Sequence, residues 1–156
     1  MDIRNAAKGD LESLIEIFRN QDLKASEEES RWFITCYFDY HHIVVAEIDG
    51  RIQGACAWRI EGERYSGLSW VENIWVEEKF RRMGLAEKLL RRSIDDMKEF
   101  FEGHGIELRK VVLTTQTERG SARKLYEKIG FRVAARLEGL YDPGGQDLVY
   151  VLDVRT

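Results

Sequence analysis

Apolar residues at Leu11, Leu14, Ile15 and Phe18 fall on one helical face behind Asp10, which has the form of an N-cap, and a short strand at Met1–Asn5 precedes them. Ser26-Glu27-Glu28-Glu29 is a capping box and predicts a second helix running to about Asp39, with its carboxylates at the positive end of the helix dipole. The pattern then changes to β-prone runs. Ile43–Ile48 and Arg51–Ile60 flank Asp49-Gly50, a strong hairpin signal, and Gly67–Val76 is a further strand. Helical spacing returns from Gly84 to about Glu102 through Ala86, Leu90, Ile94, Met97 and Phe101. A strand at Arg109–Thr115 precedes a helix over 120–129, striped by Ala122, Leu125, Tyr126 and Ile129 and ended by Gly130. Strands at Phe131–Glu138 and Gln146–Val154 flank the turn around Pro143-Gly144-Gly145. The expected fold is α/β: one domain over 1–156, with a mixed, mostly antiparallel sheet of about seven strands flanked by about four helices.

Composition narrows the function classes. With 156 residues, 44% hydrophobic and 33% charged, the chain is ordinary globular protein. It has no apolar run of the ~20 residues a membrane span needs, and its N-terminus has no signal-peptide apolar region, so a cytoplasmic location is expected. Two cysteines and three histidines, two of them adjacent, provide neither a disulfide framework nor zinc spacing, and no metal is expected. The net charge of −4 argues against nucleic acid as a partner. That charge is uneven: residues 81–92 carry +4, leaving −8 on the rest, which points to an anionic ligand bound locally.

The basic segment lies where a strand passes through a polar loop into a helix. In Trp75-Val76-Glu77-Glu78-Lys79-Phe80-Arg81-Arg82-Met83-Gly84-Leu85-Ala86, the helix start offers unpaired N–H groups and the positive dipole end, with small residues where a phosphate would approach. Neither a Walker A loop nor a dinucleotide-binding fingerprint is present.

Arg81-Arg82-Met83-Gly84-Leu85-Ala86 matches R/Q-x-x-G-x-G/A, and Ala122-Arg123-Lys124-Leu125-Tyr126-Glu127-Lys128-Ile129-Gly130-Phe131 resembles an Ala-x-x-Leu-Tyr-x-x-x-Gly-Phe signature. With the order of strands and helices, these motifs identify the chain as resembling the GNAT family of N-acetyltransferases over nearly its whole length. The resemblance implies acetyl-CoA as cosubstrate, lying in an opening between Gly67–Val76 and Arg109–Thr115. The backbone of Ile74, Trp75 and Val76 would pair with its pantetheine, the turn of Arg82, Met83, Gly84, Leu85, Ala86 and Glu87 would hold its pyrophosphate, and Arg81 is a further cofactor-binding residue.

The chemistry so implied is direct attack of a primary amine on the thioester, needing a base, an oxyanion donor and an acid for the thiolate. Tyr126 matches the family tyrosine that protonates the thiolate. Glu72 is the candidate base, read as a lone carboxylate sharing a strand face with Trp70, Ile74 and Val76; a structural carboxylate is the alternative. Arg119 stands where the family usually has an asparagine on the cofactor arm, and Thr114 where some N-terminal acetyltransferases have a glutamate. The tail Tyr141-Asp142-Pro143-Gly144-Gly145-Gln146-Asp147 nevertheless resembles theirs. The acceptor is read as a small cationic amine or lysine; a protein N-terminus and a non-catalytic acyl-CoA-binding module are the alternatives. A homodimer is a possible assembly. His41-His42 is expected to be a loop pair, Cys36 and Cys56 inert, and Trp58, Trp70 and Trp75 chiefly sheet packing, with Trp70 and Tyr141 bordering the acceptor site.

Overall fold

The structure, a computed structural model, describes residues 1–21 and 25–154. Its strands are β1 (Asp2–Asn5), β2 (His42–Ile48), β3 (Arg51–Ile60), β4 (Leu68–Val76), β5 (Lys110–Gln116), β6 (Arg132–Glu138) and β7 (Gln146–Asp153). Its α-helices are α1 (Leu11–Gln21), α2 (Glu27–Tyr40), α3 (Leu85–Gly103) and α4 (Gly120–Ile129), with 3-10 turns at Lys8–Asp10 and Glu78–Phe80. The strands order β1-β2-β3-β4-β5-β7-β6 in one seven-stranded sheet. The α/β fold with seven strands and four helices expected from the sequence is therefore found. Two compact units share the chain: Met1–Arg59 with Val71–Asp96, and Ile60–Trp70 with Met97–Thr156.

In the first unit, β2 pairs antiparallel with both β1 and β3. The β2–β3 turn places Asp49 and Gly50 at φ 52° and 74°, the two positive values that a type I′ hairpin requires. Ser26 caps α2 as expected: its Oγ accepts from the Glu29 N–H and the Glu29 carboxylate accepts from the Ser26 N–H, both at 3.1 Å. Leu14, Ile15 and Ile17 of α1 and Ile34 and Tyr37 of α2 pack on Ile43, Val45, Ala55, Ala57 and Trp75 to form a core. Gly54 is close-packed: a Cβ there would stand 3.0 Å from both the Leu89 side chain and the Trp75 carbonyl, so a bare backbone brings α3 and β4 against β3. Asp96 of α3 accepts from Trp58 Nε1 at 3.0 Å and from Asn5 Nδ2 at 3.1 Å.

The expectation of a loop pair at His41-His42 is not met. His41 is the C-cap of α2, and His42 opens β2 with its ring stacked on Trp58, centroids 4.0 Å apart. The pattern concealed this because Glu72 beside His41 and Trp58 beside His42 are distant in sequence.

In the second unit, β7 pairs antiparallel with β5 and β6, and the start of β4 pairs parallel with β5, Leu68–Trp70 against Lys110–Val112. Gly67 sets that junction. Its carbonyl accepts from the Arg109 and Lys110 N–H groups at 2.7 and 3.2 Å, its φ is 66°, and a Cβ would lie 2.5 Å from the Glu107 carbonyl. Gly130 ends α4 at φ 115°, as the pattern predicted, and its N–H reaches the Tyr126 and Glu127 carbonyls. The stripe Ala122, Leu125, Tyr126 and Ile129 is only half-buried, so α4 is amphipathic without being sunk in a core.

Candidate active site

The loop from β4 to α3 is shaped as an anion cradle. Arg82 and Gly84 both have left-handed backbone, φ 62° and 76°. Such alternation turns successive N–H groups toward one concavity. Lys88 N–H donates to the Gly84 carbonyl at 3.1 Å. The N–H groups of Leu85, Ala86 and Glu87 therefore precede the first intrahelical bond and have no helical partner. A Cβ on Gly84 would meet nothing within 4 Å, so the space before the cradle is open. Arg82, Met83 and Gly84 are exposed, Leu85 is buried as the anchor of α3, and Ala86 and Glu87 are half-buried. Glu87 is partly neutralised by Arg91, 3.0 Å away one helical turn on. A group such as a pyrophosphate fits here: donors, dipole, local positive charge and room coincide.

The strand end leading into this loop is tied down. Glu77 N–H donates to the Gln53 carbonyl at 2.9 Å. The Val76 carbonyl belongs to the same trans peptide and so faces the opposite way, off the β3 side of β4. It accepts from Arg81 Nε and Gln21 Nε2, both at 3.1 Å, and Arg81 Nη2 donates to Gln21 Oε1 at 2.9 Å. Asn20 Nδ2 donates to Glu77 Oε1 at 3.3 Å. Arg81 therefore connects the cradle, the end of β4 and the last turn of α1. The motif places Arg81 among the cofactor-binding residues and does not show this role. Trp75 sends its side chain into the α1–α2 core, and Ile74 is half-buried.

Glu72 is not the lone carboxylate expected. Its Oε1 accepts from Arg59 Nε, and His41 Nε2 stands 3.8 Å from the same oxygen. Asn73, the next residue, donates to the Tyr37 hydroxyl at 2.9 Å. Two consecutive residues of β4 thus reach groups at the end of α2 or facing it, and the period-two face assignment for Glu72 does not hold. The partners are legible only after β3 and α2 are folded against β4.

In the second unit, the half-buried Tyr126 ring lies 5.6 Å from Tyr150 and 6.1 Å from Phe131, centroid to centroid. Tyr150 is fully buried; its hydroxyl accepts from Arg123 Nε at 3.2 Å and donates to Glu127 Oε1 at 3.0 Å. Tyr150 belongs to no motif in the sequence, and its role becomes legible only beside Arg123 and Glu127. Arg119 is the exposed N-cap of α4, with no side-chain cap, and its N–H donates to Gln116 at 3.1 Å. Thr114 and the exposed Tyr141 come together, hydroxyls 3.5 Å apart. Cys56 is fully buried, and burial pushes its thiol up to about 12, in keeping with an inert side chain. Among the described residues no His, Cys, Asp and Glu cluster could hold a metal.

The model of the acetyltransferase (GNAT) domain matches residues 39–133, more than half of the chain. This protein belongs to the GNAT acetyltransferase family. It is 30% identical over 153 residues to an N-alpha-acetyltransferase of Sulfurisphaera tokodaii, covering 91% of this chain and 86% of that one. Its fold superimposes on the ribosomal-protein-S18-alanine N-acetyltransferase of Escherichia coli with TM-score 0.80, 18% identity and coverage of 99% and 94%. A Salmonella typhimurium protein solved with its cofactor acetyl-CoA gives TM-score 0.79, 18% identity and coverage of 100% and 95%. This GNAT enzyme is an acetyl-CoA-dependent N-acetyltransferase.

Proposed function

We propose that this GNAT enzyme acetylates the α-amino group of a polypeptide. The similarity to the N-alpha-acetyltransferase of Sulfurisphaera tokodaii over 91% of the chain carries this reading. The −8 outside the basic segment, which first suggested a polyamine or lysine, attracts a protonated peptide N-terminus as well.

Acetyl-CoA would place its pyrophosphate in the Arg82–Glu87 cradle and its pantetheine along Ile74, Trp75 and Val76. The Val76 carbonyl already has two side-chain donors, so the ligand would share or displace them. Arg119 would contribute positive charge on the cofactor arm in place of the usual asparagine amide. The ammonium first loses one proton, and Glu72 lies in the cluster that would handle it. The amine nitrogen then attacks the carbonyl carbon. The C–N bond forms and the C–S bond breaks, and the sulfur keeps the bonding pair and takes the Tyr126 proton. The second proton leaving nitrogen restores Tyr126 through solvent, so each ammonium acetylated releases one proton.

Mass spectrometry of products decides the acceptor. Peptides with free N-termini, N-blocked peptides containing lysine, and spermidine are offered with acetyl-CoA. Acetyl groups on α-nitrogen are expected; modification confined to lysine or spermidine overturns the reading.

A further inference from the structure

We propose that His41, oriented by Glu72, takes the ammonium proton of the acceptor, with Glu72 as its positioning residue; this deepens the acetyl-transfer reading and rests on it. Glu72 is poorly placed to be the base itself, because Oε1 is already engaged by Arg59 Nε. A proton accepted there would break an ion pair. His41 has no ion pair to break while its ring is neutral. Its Nε2, the nitrogen that would take the proton, is 3.8 Å from Glu72 Oε1, and its Nδ1 is shut off from solvent. The ring is fixed by edge contact with Tyr37, centroids 4.6 Å apart, and by the α2 cap, where the His41 N–H donates to the Tyr37 carbonyl at 2.9 Å. Its side chain keeps 19% exposure, enough for an amine to approach.

The surroundings favour a neutral ring at physiological pH. Burial holds the His41 pKa below the ordinary histidine value; the Glu72 carboxylate and the Cys36 backbone oppose this, and the Arg59 guanidinium adds to it. His42, the adjacent imidazole, is itself held low by burial, and the Tyr37 phenol ring packs on His41 from α2. A neutral imidazole beside a carboxylate accepts a proton from the ammonium, shares the imidazolium charge with Glu72, and returns the proton to solvent after attack. No bond other than N–H is made or broken in this step.

The test is kcat/KM against pH for wild type, His41→Gln and Glu72→Gln, on whichever amine the wild type acetylates. With an α-amine of pKa roughly 7.7–8.0, wild type should hold its activity down to a limb below 6.5, whereas His41→Gln must wait for bulk water to deprotonate the amine. Its limb moves up to about 8, which is a loss of roughly thirty-fold at pH 6.5 that recovers on raising pH. Because Glu72 raises the His41 pKa, Glu72→Gln should move the wild-type limb to lower pH, not abolish it. His41→Ala with added imidazole should regain activity, which a misfolded variant would not. A low-pH limb that survives in His41→Gln, or one that vanishes only in Glu72→Gln, overturns the role of His41. A wild type that acetylates only other amines overturns the peptide acceptor and leaves this test intact on those amines.

Discussion

Arg81 Nε lies 3.1 Å from the Val76 carbonyl, and by that bond the cationic residue closes the loop between the end of β4 and the anion cradle. A hydrogen bond from a charged donor contributes roughly 1.5–3 kcal/mol. Part of that stabilises the loop in the conformation that binds phosphate. Arg81→Ala should weaken CoA binding about tenfold or more in calorimetry. Gln21→Ala, which removes the neutral donor at the same carbonyl and spares the cation, should do less. Equal affinities in wild type and Arg81→Ala would show that the loop keeps its shape without the tie.

Gly84 separates conformational cost from occupancy. At φ 76° with nothing within 4 Å of a Cβ, Gly84→Ala meets strain but no clash. Its stability should fall by about 1–2 kcal/mol in denaturant unfolding, the cost of a left-handed non-glycine residue. Gly84→Glu carries the same strain and also places a carboxylate where the pyrophosphate would sit. Loss of CoA binding with a fold no less stable than Gly84→Ala is expected; calorimetric affinity equal to wild type would remove the cradle from the mechanism.

Tyr126→Phe should lower kcat by roughly 10²–10⁴-fold while CoA affinity stays near wild type, since an acid acts in the transition state. The ring packs on Tyr150 and Phe131 through its faces and edges, and phenylalanine preserves those contacts. Steady-state kinetics beside CoA titration separates the two effects. An unchanged kcat would make Tyr126 a packing residue of α4.

What could be read from the chain is what short-range chemistry determines. Ser26 with Glu29, Asp49-Gly50 and Gly130 each specify their turn within four residues, and the structure realises all three. The Gly84 cradle belongs to the same class, because a helix start makes its own donors. The partners of Glu72 do not: Arg59 and His41 come from β3 and the α2 cap, 13 and 31 positions away, and depend on side-chain reach as much as register. The tie from Gln21 to Val76 spans 55 positions and leaves no periodic trace. Gly67 looked like an ordinary strand start, because closeness to Glu107 is invisible until β4 and β5 are aligned.

That closeness makes Gly67 the most sensitive glycine. A Cβ would sit 2.5 Å from the Glu107 carbonyl, on a backbone already at φ 66°. The neighbour is main chain and cannot swing aside. Gly67→Ala should cost about 3–4 kcal/mol, from left-handed strain plus the backbone shift, large for a single methyl group. Thermal unfolding measures it; a loss under about 1 kcal/mol would mean that the Glu107 segment gives way freely.

Stability should also depend on pH through His42. Its ring stacks on Trp58 at 4.0 Å, and burial holds its pKa below the ordinary value, against the opposing pull of Asp96. The unfolded chain therefore binds a proton at a higher pH than the folded one. Between the unfolded value, about 6.5, and the lower folded value, the unfolded state holds more protons, so stability falls as pH falls through that window and is fully present above it. His41 is shifted in the same direction by the same dominant cause and contributes its own share. Asp10, held low chiefly by Arg4, acts in a separate range: its contribution is present above the ordinary carboxylate pKa and is lost only as pH drops through its lowered value. His42→Phe keeps a flat ring over Trp58 and removes the titration. Its Tm should fall less than that of wild type between pH 7 and pH 5, and the two should converge in slope above pH 7. A slope identical to wild type between pH 7 and pH 5 would show that the folded protein accommodates the His42 cation beside Asp96 without loss.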